Sequence, residues 1–219
     1  MTESPSVDLA AMLCSRLCHD LLSPVGAFAN GLELLATEKD PAMRQNCIEL
    51  LEQSAAISTN KLKFFRLAFG AAGGFGERVA VDEARDLIDA MVADKGRIEV
   101  EWAIGEANLA KSAVKVLLNF AQIATDTLVR GGTLTIGAER RSGACEIVVR
   151  ASGPKIAFDE TLGHALDGTL AAEELSSRTA AAHMIHLLAV QDGGQLQFAV
   201  EPDALVLGAI LPESGDLIG

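Results

Sequence analysis

Two long helical segments at the start of the chain constrain its fold more than any other feature. Residues 8–36 and 41–69 each show helical periodicity, and an aspartate–proline pair at residues 40–41 forms the turn between them. Glycines within residues 70–76 end the second helix. The pattern predicts an αα-hairpin. Because two helices alone cannot bury an apolar stripe on each of them, it favours a symmetric dimer that forms a four-helix bundle.

The chain changes character after the glycine-rich segment, from helices alone to helices mixed with strands. We expect residues 1–70 to form the helical hairpin, residues 71–80 to form a linker and residues 81–219 to form an α/β domain. A turn at Ser142-Gly143 joins two of the predicted strands. The predicted helices of this domain are 81–94, 109–129 and 171–190, and its predicted strands are 97–103, 132–138, 144–150, 194–200 and 204–211.

Composition and charge exclude several classes of protein. Hydrophobic residues make up 49% of the chain, as in a folded protein, and the net charge of −12 repels nucleic acid and anionic membranes. The sequence has neither a secretory signal nor an apolar run of about eighteen residues, so we expect a cytoplasmic protein with no membrane span. Its four cysteines are then reduced thiols. Cys14, Cys18 and His19 lie close in sequence, but without a fourth ligand we expect no metal site.

The first helix has an apolar face and a polar face. His19 lies on the polar face, with the small residues Ser23 and Gly26 one and two turns further on. Pro24 removes one backbone hydrogen bond and bends the helix just after the imidazole, or it serves packing alone. The apolar stripe consists of Leu13, Leu17, Leu21, Pro24, Phe28, Leu32 and Leu35. The polar face consists of Ser15, Arg16, His19, Leu22, Ser23, Gly26, Asn30 and Glu33.

The sequence around His19 carries the most specific motif. Residues 19–25, HDLLSPV, resemble the phospho-acceptor box of sensor histidine kinases, which runs His, acidic, aliphatic, Arg, polar, Pro, aliphatic. The chain departs from that box at Leu22, where kinases carry Arg. The longer run CHDLLSPVGAFANGLELL, with KFFRLAFGAAGG at the end of the second helix, resembles the ChpT family of alphaproteobacterial histidine phosphotransferases. The resemblance implies that His19 is a phospho-acceptor.

The second half resembles the ATP-binding domain of histidine kinases in a degenerate form. Kinases carry an Asn-x-x-x-Asn-Ala box whose second Asn holds magnesium, and here Ile123 stands at that position with no oxygen to offer. The Asp of the kinase Asp-x-Gly-x-Gly motif is Ala151, and its last glycine is Lys155. Residues 177–182, in place of the glycine-rich lid, contain no glycine. The implied fold is a helical hairpin followed by a degenerate histidine-kinase-type (Bergerat-like) α/β sandwich that does not bind ATP.

The resemblance also implies a function and a set of partners. The chain would be a histidine phosphotransferase of a multistep phosphorelay, taking a phosphoryl group from a receiver-domain aspartate onto His19 and passing it to response-regulator aspartates. The implied partners are a second copy of the chain, the receiver domain of a CckA-like hybrid histidine kinase, and CtrA-like and CpdR-like response regulators. No cofactor is expected in this chain, because the magnesium ion belongs to the receiver. The residues expected to contact a partner are Arg16, Leu22, Ser23, Gly26, Asn30 and Glu33.

The roles of the residues around His19 stay open at this point. Asp20 could orient the imidazole or take its proton, or it could be a solvated acid. Ser23 could donate a hydrogen bond to the transferring group or act as a small spacer. Arg16 could meet an acidic receiver or steady the phosphoryl charge, or it could be a plain surface charge.

Other histidines and other functions also stay open. His183 and His186 lie three residues apart on a predicted helix, where they could bind a metal ion or simply fill space, and His164 has no informative context. Two different functions remain possible for the chain: a true histidine kinase with an atypical ATP site, and a non-catalytic module that sequesters a response regulator.

Overall fold

The computed structural model describes residues 5–70, 78–93 and 95–213. Two compact units divide between Arg66 and Leu67. The predicted hairpin consists of helix α1 (Pro5–Thr37) and helix α2 (Pro41–Phe69), and it forms the first unit except for the last three residues of α2. The predicted bounds of α2 are confirmed, and α1 is longer than predicted at its N-terminal end. Within the described ranges, no helix combines the length and the apolar character that crossing a membrane requires.

Side chains close the ends of the two helices at the joint of the hairpin. Arg44 Nη1 donates to the carbonyl oxygens of Leu35 and Glu38, both at 2.8 Å, so it satisfies carbonyl groups that the end of α1 leaves open. Asp40 Oδ2 accepts a hydrogen bond of 3.0 Å from the backbone N–H of Met43, which caps the start of α2. These hydrogen bonds stabilise the end of α1 and the start of α2, between which the chain reverses direction at residues 38–40.

The second unit is an α/β domain built on a five-stranded sheet. The order of the strands is β2-β4-β5-β7-β6, with β2 parallel to β4 and every other neighbouring pair antiparallel. A separate pair of short strands, β1 and β3, is antiparallel. The strands are β1 (Arg78–Ala80), β2 (Ile98–Ile104), β3 (Asn108–Ala110), β4 (Gly132–Arg141), β5 (Ala144–Ser152), β6 (Gln195–Val200) and β7 (Ala204–Pro212). The helices are α3 (Val81–Ala93), α4 (Lys111–Thr127), α5 (Glu160–Asp167) and α6 (Ala180–Gln191).

The core of this domain lies between one face of the sheet and the helices. Alternate residues of β4 and β5, such as Ile136 and Ile147, are fully buried, as a strand with one covered face requires. Helix α4 packs against β5 and β7 and contributes Leu117 and Phe120, both fully buried. The predicted fold class, a helical hairpin followed by an α/β sandwich, is therefore observed.

Four elements of the second unit differ between the sequence prediction and the structure. Residues 171–179, predicted as the start of a long helix, form a short 3₁₀ helix (Ala172–Glu174) and a turn, and α6 begins only at Ala180. Thr179 Oγ1 accepts a 3.0 Å hydrogen bond from the N–H of Ser176, a local bond that competes with helix formation. The prediction missed α5, β1 and β3. The last residues of the predicted 71–80 linker form β1, and residues 71–77 lie outside the described residues.

Glycine at position 132 is required by a close backbone approach at the start of β4. Its φ is +145°, and a methyl group there would collide with the carbonyl oxygen of Ser152 on β5. We expect Gly132→Ala to lower the free energy of unfolding by about 2 to 4 kcal/mol, from strain and overpacking together. The matched control is Gly143→Ala, in the predicted Ser142-Gly143 turn, which has φ +80° but open space around it. It should cost only about 1 kcal/mol. If urea denaturation showed the same loss of unfolding free energy for both variants, the backbone would have to shift enough to avoid the collision with Ser152.

Candidate functional site

His19 lies in the middle of α1 with an open ring. Its side chain is 87% exposed, and the structure places it on the face that the helical periodicity predicted. Around it, Leu22 is 69% exposed, and Ser23 and Gly26 are exposed as well. Asn30 and Glu33 are exposed further along the same face. The imidazole is therefore reachable by a large partner, and its nearest neighbours on the C-terminal side are small or flexible.

Asp20 contacts the imidazole at one ring nitrogen only. Asp20 Oδ1 lies 3.3 Å from His19 Nδ1. A carboxylate can only accept a hydrogen bond, so this contact favours a proton on Nδ1 and leaves the lone pair of the neutral ring on Nε2. The geometry thus corresponds to a nucleophile whose reactive nitrogen is the outer one, with an acid held against the inner one.

Arg16 is largely covered and lies beside Asp20. Its side chain is only 16% exposed, and its Nε lies 3.9 Å from Asp20 Oδ2, one turn further along α1. The physical reason is the i,i+4 spacing, which brings the guanidinium towards the carboxylate. Arg16 therefore belongs to the same cluster as Asp20 and His19, and its contact with a partner or with the phosphoryl charge stays a prediction.

The sequence did not single out Lys61, which the structure brings to this cluster from α2. Lys61 Nζ donates a 2.9 Å hydrogen bond to the backbone carbonyl oxygen of Asp20. Pro24, buried in the single chain, lies inside α1 four residues after that carbonyl. A proline has no N–H to donate. The position of Pro24 in the sequence was therefore the one indication that the carbonyl oxygen of Asp20 needs a donor from elsewhere.

Only part of the predicted apolar stripe of α1 is covered within the hairpin, and the rest is exposed. Pro24 is buried and Leu13, Leu17, Leu21 and Leu35 are half-buried, whereas Phe28 is 38% and Leu32 is 48% exposed. The reason is that α2 packs on the side of Gly31, where an added Cβ would lie 3.0 Å from Leu51 Cδ2. Seven apolar residues lie on the side of α1 next to this contact with α2, at alternating spacings of four and three residues. We call them the α1 seam: Cys14, Cys18, Leu21, Val25, Phe28, Leu32 and Leu35.

The other three histidines lie in the second unit, where His164 and His186 make hydrogen-bond contacts and the buried Nδ1 of His183 makes none with the described residues. The ring centroids of His183 and His186 lie 6.3 Å apart, and His186 Nδ1 lies 3.0 Å from the carbonyl oxygen of Leu166. Burial and the neighbouring His186 lower the pKa of His183, so its ring is neutral at pH 7. His164 Nδ1 lies 2.9 Å from Thr169 Oγ1. Across residues 5–70, 78–93 and 95–213, no three His, Cys, Asp or Glu side chains come together as a metal site.

The four thiols divide into two classes. Cys14 and Cys18 are exposed on α1, whereas Cys47 and Cys145 are buried. Burial raises the pKa of the Cys145 thiol to about 11, so it stays protonated and unreactive at neutral pH.

The region that resembles an ATP site is filled by aliphatic side chains at two critical positions. Ile123 is 6% exposed within α4, and Ala151 is fully buried within β5. Asn119, which corresponds to the first Asn of the kinase box, is 1% exposed, and its Nδ2 donates to the carbonyl oxygen of Lys115 at 2.8 Å. Neither the Ile123 nor the Ala151 side chain carries an oxygen that could bind a cation or accept a hydrogen bond from an amino group.

A family model described as the histidine phosphotransferase C-terminal domain matches residues 81–204, more than half of the chain. The chain belongs to the histidine phosphotransferase family. It is 29% identical over 204 residues to the protein phosphotransferase ChpT of Brucella abortus (strain 2308), which covers 93% of this chain and 96% of that protein. A solved structure of a bacterial phosphotransferase has a TM-score of 0.80 and 30% identity, over 95% of this chain and 98% of that one. The predicted family and the predicted fold class are therefore confirmed.

Proposed function

We propose that this histidine phosphotransferase works in a multistep phosphorelay in the cytoplasm, with His19 as the phospho-acceptor. The observation that carries the proposal is the exposure of the His19 side chain, at 87%, with its Nδ1 against Asp20. The donor is an aspartyl phosphate on the receiver domain of a hybrid kinase, and the acceptors are aspartates of response regulators.

The transfer step needs only groups that the two proteins provide. The Nε2 lone pair of His19 attacks the phosphorus atom in line, an N–P bond forms, and the P–O bond to the receiver aspartate breaks. The aspartate leaves as a carboxylate with the electron pair. The imidazolium that forms keeps its proton on Nδ1, where the negative charge of Asp20 stabilises it. Passing the phosphoryl group to the next aspartate is the same step in reverse. A magnesium ion, held by the receiver and not by this chain, would supply neutralisation of the phosphoryl charge.

The surface around His19 fits the approach of a receiver. Leu22 offers an exposed apolar side chain, and Ser23 and Gly26 let the partner backbone come close to the imidazole. Asn30 and Glu33 extend the contact along α1. We assign Arg16 to holding Asp20, because its side chain faces that carboxylate.

We further propose that a second copy of the chain covers the α1 seam. Val25, Phe28 and Leu32 leave large apolar surfaces exposed in the single chain, and Met43 and Leu50 on α2 add to them. Seven-residue spacing with two apolar positions per repeat is typical of helices that pack in bundles. A symmetric four-helix bundle buries these residues, which one hairpin alone leaves in water.

The relay is tested by giving the protein two sources of phosphoryl group. Incubation with a labelled, phosphorylated receiver should move label onto the chain as an acid-labile, base-stable phosphohistidine. Incubation with labelled ATP and magnesium should give none, because Ile123 and Ala151 replace the kinase residues that hold the metal ion and the adenine. Label from ATP without any partner would establish a true histidine kinase instead, and label from neither source would favour a sequestering module.

A further inference from the structure

Pro24 leaves one backbone carbonyl of α1 without its helical donor. In an α-helix, the N–H of residue 24 would donate to the carbonyl oxygen of Asp20, but proline has no N–H and its ring pushes that carbonyl outward. A carbonyl group of this kind has to find a donor from a side chain or water. Because Asp20 is the residue next to His19, the missing bond lies at the phospho-acceptor itself.

Lys61 supplies the missing donor from the neighbouring helix. Its Nζ lies 2.9 Å from the carbonyl oxygen of Asp20, at a partly buried position. This bond joins residues 41 positions apart in the sequence, so it links α2 to α1 at the point where α1 lacks one of its own backbone hydrogen bonds. A bond from an ammonium ion is also stronger than the neutral backbone bond that it replaces.

The consequence is that Asp20 is held at three points. Its backbone oxygen accepts from Lys61, its Oδ2 faces Arg16 at 3.9 Å, and its Oδ1 contacts His19 Nδ1 at 3.3 Å. The bond from Lys61 fixes the backbone from which the Asp20 side chain extends, and the contacts of its two carboxylate oxygens with Arg16 and His19 then set its rotamer. A carboxylate that is out of place by about 1 Å has a weaker influence on the ring.

We propose that Lys61 is a positioning residue for phosphoryl transfer. It replaces the hydrogen bond that Pro24 cannot make, and so fixes Asp20 in the orientation that keeps the proton on Nδ1 and the lone pair on Nε2 of His19. The inference rests on the proposed function of His19 for its catalytic consequence. Its structural part, the control of the imidazole tautomer, can be measured without any partner.

The first test compares Lys61→Met with Lys61→Arg. Methionine keeps much of the aliphatic stem but has no donor, whereas arginine keeps one. With a phosphorylated receiver as donor, Lys61→Met should lower the maximal rate of His19 labelling about tenfold or more, with little change in the half-saturating receiver concentration. Lys61→Arg should restore most of the rate. Lys63→Met, at an exposed lysine of the same helix, is the matched control and should leave the rate unchanged.

The second test uses nitrogen NMR of the His19 ring in the unphosphorylated protein. The tautomer with the proton on Nδ1 should dominate in the wild-type protein and in Lys63→Met, and its share should fall in Lys61→Met. An unchanged tautomer, together with unchanged labelling, would overturn the proposal. If the wild-type protein takes no label at all, the proposed function fails, but the tautomer measurement still decides the role of Lys61.

A double-mutant cycle distinguishes two roles of Lys61, the positioning of Asp20 and a general stabilisation of the packing between α1 and α2. In Pro24→Ala, the restored N–H can donate to the carbonyl of Asp20, so Lys61→Met should cost several-fold less in that background than in the wild-type protein. Equal losses in both backgrounds would show that Lys61 acts independently of the bond that Pro24 removes, and would contradict the inference.

Discussion

Replacing His19 by alanine or glutamine should abolish labelling by a phosphorylated receiver. The loss should exceed about a thousandfold, because removing the nucleophile of a covalent step leaves no alternative route for the phosphoryl group. Glutamine is the sharper variant, since it keeps a polar side chain of similar length on the docking face. The measurement is the rate at which acid-labile label appears on the chain after mixing with the phosphorylated receiver.

The fold should survive these substitutions. The His19 side chain is 87% exposed, so its removal takes away little packing, and the free energy of unfolding should change by no more than about 0.5 kcal/mol. His164→Gln, at an exposed histidine of the second unit, is the control and should be labelled like the wild-type protein. Label that persists in His19→Gln would place the acceptor elsewhere and remove the basis of the relay.

The sequence was most informative where a pattern is long or chemically unusual. Helix α2 could be predicted to the residue because proline starts it and a glycine-rich segment follows it. The strands of the central sheet followed from alternation and from the Ser142-Gly143 turn, whose two residues both have positive φ. The exposure of His19 followed from its position on the polar face, whereas its role as the acceptor rests on the motif and stays a prediction.

Short elements and contacts between helices could not be predicted in this way. Strands β1 and β3 have three residues each, too few for alternation to be detected. Helix α5 does carry end signals, with Asp159 as its N-cap and Gly168 in the left-handed region, but only eight residues lie between them. Lys61 is an ordinary lysine in sequence, and its bond to Asp20 depends on how α1 and α2 pack.

Placing a charge in the α1 seam should dissociate the proposed dimer. Phe28 and Leu32 are 38% and 48% exposed in the single chain, so Phe28→Asp and Leu32→Asp also remove some packing within the hairpin, and circular dichroism checks that the helices persist. In a bundle, the same carboxylate would lose its water without gaining a partner, at a cost of several kcal/mol. We therefore expect the dissociation constant to rise by about a thousandfold or more, as seen by sedimentation or light scattering across a dilution series.

The control for this prediction is a charge on another face of the same helix. Leu34 is 56% exposed, and it lies outside the spacing of the α1 seam, so Leu34→Asp should leave the dimer intact. Loss of the dimer in all three variants would indicate a general weakening of α1, and a dimer that survives Phe28→Asp and Leu32→Asp would place the interface elsewhere. His19 and Phe28 are nine residues apart, which puts them about 180° apart around the helix. Covering the seam therefore leaves both copies of His19 facing outward, where a receiver can reach either one.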